Sequence, residues 1–372
     1  MALVRDRRGF VKALAAATVG GVVGTRRLAW AQNAPTKRRE ISIGGKRITV
    51  IDAHAHLNVA EVAPLVKGTP FERQAVTTGD GIIGPARLAS MDRTGVDIEL
   101  LTQQAAWWYA VQDRELARDI VAAQNEGTAA VVAKHPDRFI GMTSMPLQFP
   151  DLAAEMLEHG IKRLGFKGGG ISAGWIGDKN LSDREYDVFW SKAQELGAFL
   201  FMHPGGTNGN GDTHFAGLGA LPNTIGNPLE TTVFFSHLIY EGTLDRFPGL
   251  KICGAHGGGY LPSYMGRTDA QCIRVSDACT AKKRPVADYF KTQLMADCMV
   301  FREDALRHLV AEMGSAQIVY GTDQPFGWPV TPDFILDARF LTDAQKVQIL
   351  GGNMTKLLKL SPSRPTGAPP NR

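Results

Sequence analysis

The chain has 372 residues, of which 44% are hydrophobic and 21% charged, and its formal net charge is +4 at pH 7. This ordinary globular composition excludes a collagen-like, low-complexity or largely disordered chain. No stretch reaches the roughly 18 consecutive apolar residues that a membrane span needs, so stable membrane insertion is not expected. The length allows two domains or one large α/β barrel.

The N-terminal segment has the features of an export signal. Arg7-Arg8 precede a weakly apolar run from Ala13 to Gly24, and Ala29-Trp30-Ala31 has the A-x-A form of a cleavage site. Because this order resembles a twin-arginine signal, residues 1–31 are predicted to be a signal peptide of a periplasmic or otherwise exported protein. Its removal changes the net charge from +4 to −1, so no basic excess points to a nucleic-acid partner.

Strand-like and helix-like segments alternate after residues 32–47, which we interpret as a linker. The predicted strands are short apolar runs at Ile48–His54, Asp97–Gln104, Phe139–Leu147, Arg163–Lys167, Ala198–Pro204, Leu250–His256, Leu294–Phe301 and Ala316–Asp323. Eight strand–helix repeats predict parallel strands closed into a (β/α)8 barrel of the metal-dependent hydrolase type over residues 48–360. Residues 57–86 are predicted to form a small insertion after strand 1, and residues 361–372 a proline-rich tail.

Helical periodicity links these strands. The predicted helices lie at Asp113–Lys134, Asp183–Leu196, Leu229–Arg246, Glu303–Met313 and Thr342–Leu358. Ser182 and Thr342 are predicted N-caps, because Glu185 and Gln345 follow three residues later as a capping box requires.

Polar residues end several predicted strands, and a (β/α)8 barrel has its chemistry at those C-terminal ends. They are His54 and His56 on strand 1, His203 on strand 5, His256 on strand 6 and Asp323 on strand 8. Alternation along a strand places His54 and His56 on one face, so both imidazoles can reach one ion. Histidines with a carboxylate suit Zn²⁺ or a similar divalent ion, so the sequence predicts a metal centre at the barrel mouth.

The pattern resembles the amidohydrolase superfamily, and within it the aminocarboxymuconate-semialdehyde decarboxylase-like, amidohydrolase-2 branch. The resemblance covers residues 48–358 and is carried by four motifs, Ile51–His56, Met202–Pro204, Ala255–Arg267 and Gly321–Phe326. One departure is Gly205-Gly206 after His-Pro, where decarboxylases of the family often carry an aromatic residue.

The resemblance also implies roles for individual residues. It makes His54, His56, His203 and Asp323 the ligands of one divalent ion, with Zn²⁺ as the first candidate and Mn²⁺ as the alternative. It makes His256 the acid/base beside the ion, with Asp323 as a second catalytic residue. It also implies a homodimer, in which Arg267 is a candidate clamp for a substrate carboxylate near the dimer interface.

Several positions keep alternative interpretations. Lys167, at the end of predicted strand 4, bridges two ions, holds a substrate carboxylate or forms a structural ion pair. Arg267 is either the clamp or part of a surface ion pair, and Trp107 either lines an aromatic-acid pocket or packs on the barrel rim. Cys272 and Cys279 lie in one polar connection, where an exported protein can form a disulfide.

The leading functional prediction is a metal-dependent nonoxidative decarboxylase, a carbon–carbon lyase acting on a small unsaturated or aromatic carboxylic acid. The alternative is a metal-dependent hydrolase or hydratase of a lactone, ester or amide that uses metal-bound hydroxide. The export signal favours this alternative, because decarboxylases of catabolic intermediates usually act in the cytoplasm. The substrate itself is not predicted, since the fold does not determine it.

Overall fold

The structure is a computed structural model that describes residues 37–75, 81–103, 105–205 and 213–360. The predicted signal peptide at residues 1–31 and the tail at residues 361–372 lie outside the described residues. Within the described ranges, no helix combines the length and apolarity that crossing a bilayer requires.

Strands are numbered in chain order. They are β1 (Ser42–Ile43), β2 (Lys46–Arg47), β3 (Ile51–Leu57), β4 (Ile98–Gln103), β5 (Phe139–Gly141), β6 (Gly168–Ile171), β7 (Trp175–Ile176), β8 (Lys179–Asn180), β9 (Phe199–Met202), β10 (Lys251–Gly254), β11 (Leu294–Asp297) and β12 (Ile318–Val319). The pairs β1–β2 and β7–β8 are small antiparallel hairpins, and the other described strands are parallel.

The parallel strands close into a barrel, which confirms the predicted fold. One sheet has the order β3-β4-β5 and the other the order β12-β11-β10-β9-β6. Two isolated parallel bridges, Thr143 with Gly169 and Ala55 with Gln324, join the sheets on both sides. The carboxyl ends of the strands therefore meet around one mouth.

Helices cover the outside of the barrel. They are α1 (Pro85–Thr94), α2 (Arg114–Lys134), α3 (Pro150–Lys162), α4 (Asp187–Leu196), α5 (Asn227–Tyr240), α6 (Thr243–Arg246), α7 (Leu261–Arg274), α8 (Val286–Thr292), α9 (Glu303–Met313), α10 (Asp333–Leu336), α11 (Asp343–Val347) and α12 (Asn353–Leu357). A short turn at Ala255–Gly258 follows β10, and a 3-10 helix at Ala60–Val66 lies in the predicted insertion after the first barrel strand.

One predicted N-cap is confirmed and the other is wrong. Thr342 forms a complete capping box with Gln345 at the start of α11. The Ser182 side chain is buried and donates to the Glu241 carboxylate, so it is not available to cap a helix. The predicted helix Leu229–Arg246 is divided into α5 and α6 by Gly242, whose φ of 73° is left-handed.

Two apolar cores hold the layers together. One lies inside the barrel and includes Ile51, Leu100, Phe201 and Val319. The other packs the outer faces of the strands against the helices. Cys253 and Cys298 are buried free thiols, whereas Cys272 and Cys279 form a disulfide between α7 and the turn after it.

The fourth barrel strand differs from the prediction. β6 begins at Gly168, so the predicted strand Arg163–Lys167 is wrong, and Lys167 precedes the strand instead of ending it. A run of glycines is atypical of a strand, but residues with a side chain do not fit at these positions. A Cβ at Gly168 would lie 1.7 Å from the Phe199 carbonyl oxygen, and one at Gly169 would lie 2.7 Å from the Met145 methyl carbon.

We expect Gly168→Ala to destabilise the barrel by about 1–3 kcal/mol or more, because the added methyl group overlaps backbone of the neighbouring strand. Gly266→Ala is the matched control, since a Cβ there meets nothing within 4 Å and lies in α7, where alanine favours helix. Denaturant unfolding of both variants measures the difference. Equal stability of the two would contradict the close strand contact.

Candidate metal centre

Four predicted ligands meet at the mouth of the barrel. Donor atoms of His54, His56, His203 and Asp323 all lie within 4.8 Å of one another. Asp323 Oδ1 lies 3.2 Å from His54 Nε2, 3.1 Å from His56 Nε2 and 3.8 Å from His203 Nε2. An ion bonded at about 2.0–2.2 Å to each donor matches such spacings.

The chemistry of these donors fits a cation. In the part of the chain that the structure describes, His203 Nε2 and Asp323 Oδ1 are buried and have no hydrogen-bond partner. Buried polar atoms without partners are costly, and a divalent ion between them would remove that cost. Burial, helped by the neighbouring imidazoles, lowers the pKa of His203 well below its ordinary value, which leaves its nitrogen a free lone pair.

The two histidines of β3 respond differently to their surroundings. Burial opposes protonation of His54, but attraction to Asp323 and Asp297 outweighs it and raises the pKa of His54 to about 10. Burial dominates at His56 and lowers its pKa. The carboxylates therefore favour positive charge at this point, and a bound divalent ion supplies that charge without a proton.

The ligands are held from behind by further side chains. His54 Nδ1 lies 2.7 Å from Asp297 Oδ2, and His56 Nδ1 lies 3.0 Å from the Thr102 hydroxyl. Each contact leaves the Nε2 atom facing the centre, an arrangement typical of metal-binding histidines. The Trp328 indole donates to Asp323 Oδ2 over 2.9 Å, so Asp323 Oδ1 remains available to the ion.

His256 lies beside the four ligands. Its Nε2 is 3.7 Å from Asp323 Oδ2, and its Nδ1 is buried and has no partner among the described residues. His256 follows β10 with a left-handed backbone, φ 56° and ψ 50°. The glycine after it is also left-handed, at φ 69°, so the chain turns sharply below the ligands.

A cavity of about 1080 Å³ opens directly onto the centre, and both His203 and Asp323 line it. Its other lining residues include the aromatic side chains of Phe71, Trp107, Tyr109, Trp175, Tyr186, Phe326 and Trp328. A cavity that combines aromatic walls with polar side chains is typical of a small-molecule site. Trp107 therefore takes the pocket-wall position rather than rim packing alone.

The structure does not bring two other predicted residues to this cavity. Lys167 is exposed and precedes β6, so it lies at the amino end of the strand, opposite the ligands. Its proposed roles as a bridging or substrate-binding lysine are therefore excluded within this chain. Arg267 is exposed on α7 and is not among the residues that line the cavity.

Sequence reasoning missed three residues that support the ligands: Asp297, Thr102 and Trp328. Asp297 is the one carboxylate within the predicted strand Leu294–Phe301, and a lone carboxylate in an apolar strand could have indicated a site residue. Trp328 lies five residues after Asp323 and carried no comparable signal.

We expect His203→Ala to bind far less metal, because it removes one of four donors, while the barrel still folds. The metal content of purified protein and its circular dichroism spectrum measure both effects. His159→Ala is the control, because His159 is exposed on α3, away from the centre. Full metal occupancy in His203→Ala would remove His203 from the ligand set.

The chain is similar to known decarboxylases. The chain is 31% identical over 283 residues to the 2-amino-3-carboxymuconate-6-semialdehyde decarboxylase of Dictyostelium discoideum, a match that spans 75% of this chain and 77% of that protein. It is 31% identical over 310 residues to a gamma-resorcylate decarboxylase of Rhodococcus jostii, spanning 80% and 93% of the two chains.

A solved structure and a family profile extend the comparison. The fold matches that of a dihydroxybenzoic acid decarboxylase from Polaromonas, solved with bound manganese and an inhibitor, with a TM-score of 0.72 and 25% identity. The match covers 85% of this chain and 98% of that one. The amidohydrolase profile Amidohydro_2 matches residues 51–360, from the first barrel strand to the last described residue. The chain belongs to this amidohydrolase family.

Proposed function

We propose that this protein is a metal-dependent nonoxidative decarboxylase that removes CO₂ from an aromatic carboxylic acid. The observation that carries the proposal is an aromatic-lined cavity that ends on His203 and Asp323, with His256 beside them. The planar rings of Trp107 and Phe326 suit an aromatic substrate. The relative from Rhodococcus jostii is a decarboxylase of gamma-resorcylate.

One ion per chain is the metal content that we propose. Three imidazoles and a carboxylate suit Zn²⁺, and the manganese bound to the Polaromonas enzyme makes Mn²⁺ the alternative. A second ion lacks ligands in the described part of the chain, because β6 ends in Ile171 and Lys167 lies at the opposite end of this strand.

His54, His56, His203 and Asp323 would hold the ion, which would supply Lewis acidity toward the substrate carboxylate. His256 then donates a proton to the ring carbon that carries the carboxylate, since its imidazole lies beside the ligands and faces no other partner among the described residues. The carbon–carbon bond breaks, its electron pair returns to the ring and CO₂ leaves. His256 regains its proton from solvent, so a proton has replaced CO₂.

The pocket walls assist this sequence of steps. Trp107 and Phe326 stack with and cover the ring, which limits access of water to the reacting carbon. Trp328 donates to Asp323 Oδ2 and so keeps this ligand in one orientation. The residues of this chain thus orient the substrate and deliver the proton.

Arg267 contributes to the site across a homodimer in this proposal. Its side chain is exposed and does not line the cavity of its own chain. A guanidinium suits a carboxylate. The exposed Tyr264 on the same helix provides apolar surface for a subunit contact.

We expect the metal-loaded protein to release CO₂ from hydroxylated benzoic acids, beginning with gamma-resorcylate, and to release no acid from lactones or esters. His256→Asn should keep its metal and lose activity by about 10²–10⁴-fold, because the positioned proton donor is gone. His159→Asn serves as the control on an exposed histidine. Acid release without CO₂ would support a hydrolase, and loss of metal from His256→Asn would make His256 a ligand.

We also propose that the protein is exported through the twin-arginine pathway. The support is Arg7-Arg8 ahead of the apolar run, together with the Cys272–Cys279 disulfide, a bond typical of oxidising compartments.

Replacing Arg7 and Arg8 by lysine should leave the protein in the cytoplasm, because this pathway reads the arginine pair. The matched control replaces Arg26 and Arg27, a second pair at the far end of the apolar run, and should still be exported. Cell fractionation and immunoblotting locate both variants. Unimpaired export of the first variant would exclude the pathway.

A further inference from the structure

Asp297, at the end of β11, is a fully buried carboxylate that joins three parts of the site. Its Oδ2 lies 2.7 Å from His54 Nδ1 and accepts from the His256 backbone N–H over 3.0 Å. Its Oδ1 accepts from the backbone N–H groups of Gly257, over 2.8 Å, and Met299, over 3.0 Å. Each carboxylate oxygen of Asp297 therefore has two hydrogen-bond partners among the described residues.

The contact with His54 determines which nitrogen carries the hydrogen. A carboxylate oxygen only accepts, so His54 must hold its hydrogen on Nδ1 to bond Asp297. Nε2 then carries a lone pair, and Nε2 is the atom that faces Asp323 Oδ1 at 3.2 Å. Asp297 thus keeps this histidine in the tautomer that can bind a metal ion.

The contacts with the turn after β10 hold a strained backbone. His256 has a left-handed φ of 56°, which side chains other than glycine rarely adopt. The consecutive N–H groups of His256 and Gly257 both point to the Asp297 carboxylate. Consecutive amides in this conformation form an anion-binding nest, so the carboxylate stabilises the turn that aims the His256 imidazole.

We propose that Asp297 is a positioning residue that sets the His54 tautomer for metal binding and the His256 backbone for proton transfer. This inference rests on the proposed metal site, but its first test does not depend on which reaction the protein catalyses. It predicts that metal binding and His256 function depend on one carboxylate that touches neither the ion nor the substrate.

Asp297→Asn tests the inference with minimal change in shape. The amide oxygen can still accept from Gly257 and Met299, but the amide nitrogen then faces the His256 N–H and His54 Nδ1. The backbone N–H cannot reverse, and His54 must move its hydrogen to Nε2 to accept from the amide. A hydrogen on Nε2 blocks metal binding.

Asp52→Asn is the matched control, because Asp52 is an equally buried carboxylate beside the same histidine. Asp52 Oδ1 accepts from the backbone N–H groups of His54 and Thr322, and Oδ2 accepts from the Thr322 hydroxyl. An amide satisfies all three contacts, because the hydroxyl can rotate and accept instead. No imidazole nitrogen is involved.

Titration of the metal-free proteins with Zn²⁺ gives the first readout. We expect Asp297→Asn to bind the ion about 10–100-fold more weakly than the wild type, and Asp52→Asn to bind within about 3-fold. Equal affinity of Asp297→Asn and the wild type would overturn the inference. Absence of binding by the wild type would instead overturn the proposed metal site.

Nuclear magnetic resonance of the Zn²⁺-loaded wild type gives a second readout that needs no folded Asp297 variant. We expect a strongly hydrogen-bonded imidazole N–H signal from His54 Nδ1, assigned by its loss in His54→Asn. Its absence would overturn the inference.

Decarboxylation rates measured at saturating metal test whether Asp297 also acts through His256. Because Asp297 acts through His256, Asp297→Asn combined with His256→Asn should be no slower than His256→Asn alone. If the activity losses of the two single variants multiply in the double variant, Asp297 does not act through His256, and only its role at His54 remains.

Discussion

Three imidazoles and one carboxylate point their donor atoms into a single buried space, and this convergence is the constraint on which the rest of the site depends. Two of those atoms, His203 Nε2 and Asp323 Oδ1, have no hydrogen-bond partner among the described residues. Buried polar atoms without partners are costly, and a cation between these two would remove that cost. The barrel brings the four donors together because its closing bridge, Ala55 with Gln324, lies between the β3 ligands and Asp323.

The parts of this site that could be predicted are those that local sequence determines. A short apolar run that ends in a polar residue indicates a strand end, and a parallel barrel collects strand ends at one mouth. That reasoning placed His54, His56, His203, His256 and Asp323 at one mouth, and the family resemblance assigned the four ligands among them. The structure brings these four ligands together and places His256 beside them. Barrel closure could also be predicted, because each strand–helix repeat has its own local periodicity and eight such repeats indicate a closed barrel.

The parts that could not be predicted depend on contacts between distant residues. Asp297 and His54 are 243 positions apart, and only the folded barrel makes one the hydrogen-bond partner of the other. The glycines of β6 have no strand-like pattern, because they are required by the neighbouring Phe199 backbone rather than by local preference. The strand was predicted at Arg163–Lys167 and lies at Gly168–Ile171, so Lys167 lies before the strand and at the opposite end of the barrel from the ligands.

The same donor set can serve hydrolysis or decarboxylation, so the ligands alone do not distinguish the two reactions. The distinction comes from what surrounds them. Hydrolysis requires a water molecule at the reacting carbon and a group that activates this water. Decarboxylation requires a proton donor and side chains that exclude water from the ring. Here aromatic side chains line the cavity, and β6 ends in Ile171, which cannot bridge a second ion. His256 lies beside the ligands with a buried, unpartnered nitrogen in the described structure, and its backbone is held by Asp297. A proton donor whose backbone is held in place, next to aromatic walls, favours the lyase, because the proton must reach one ring carbon while water is kept from it.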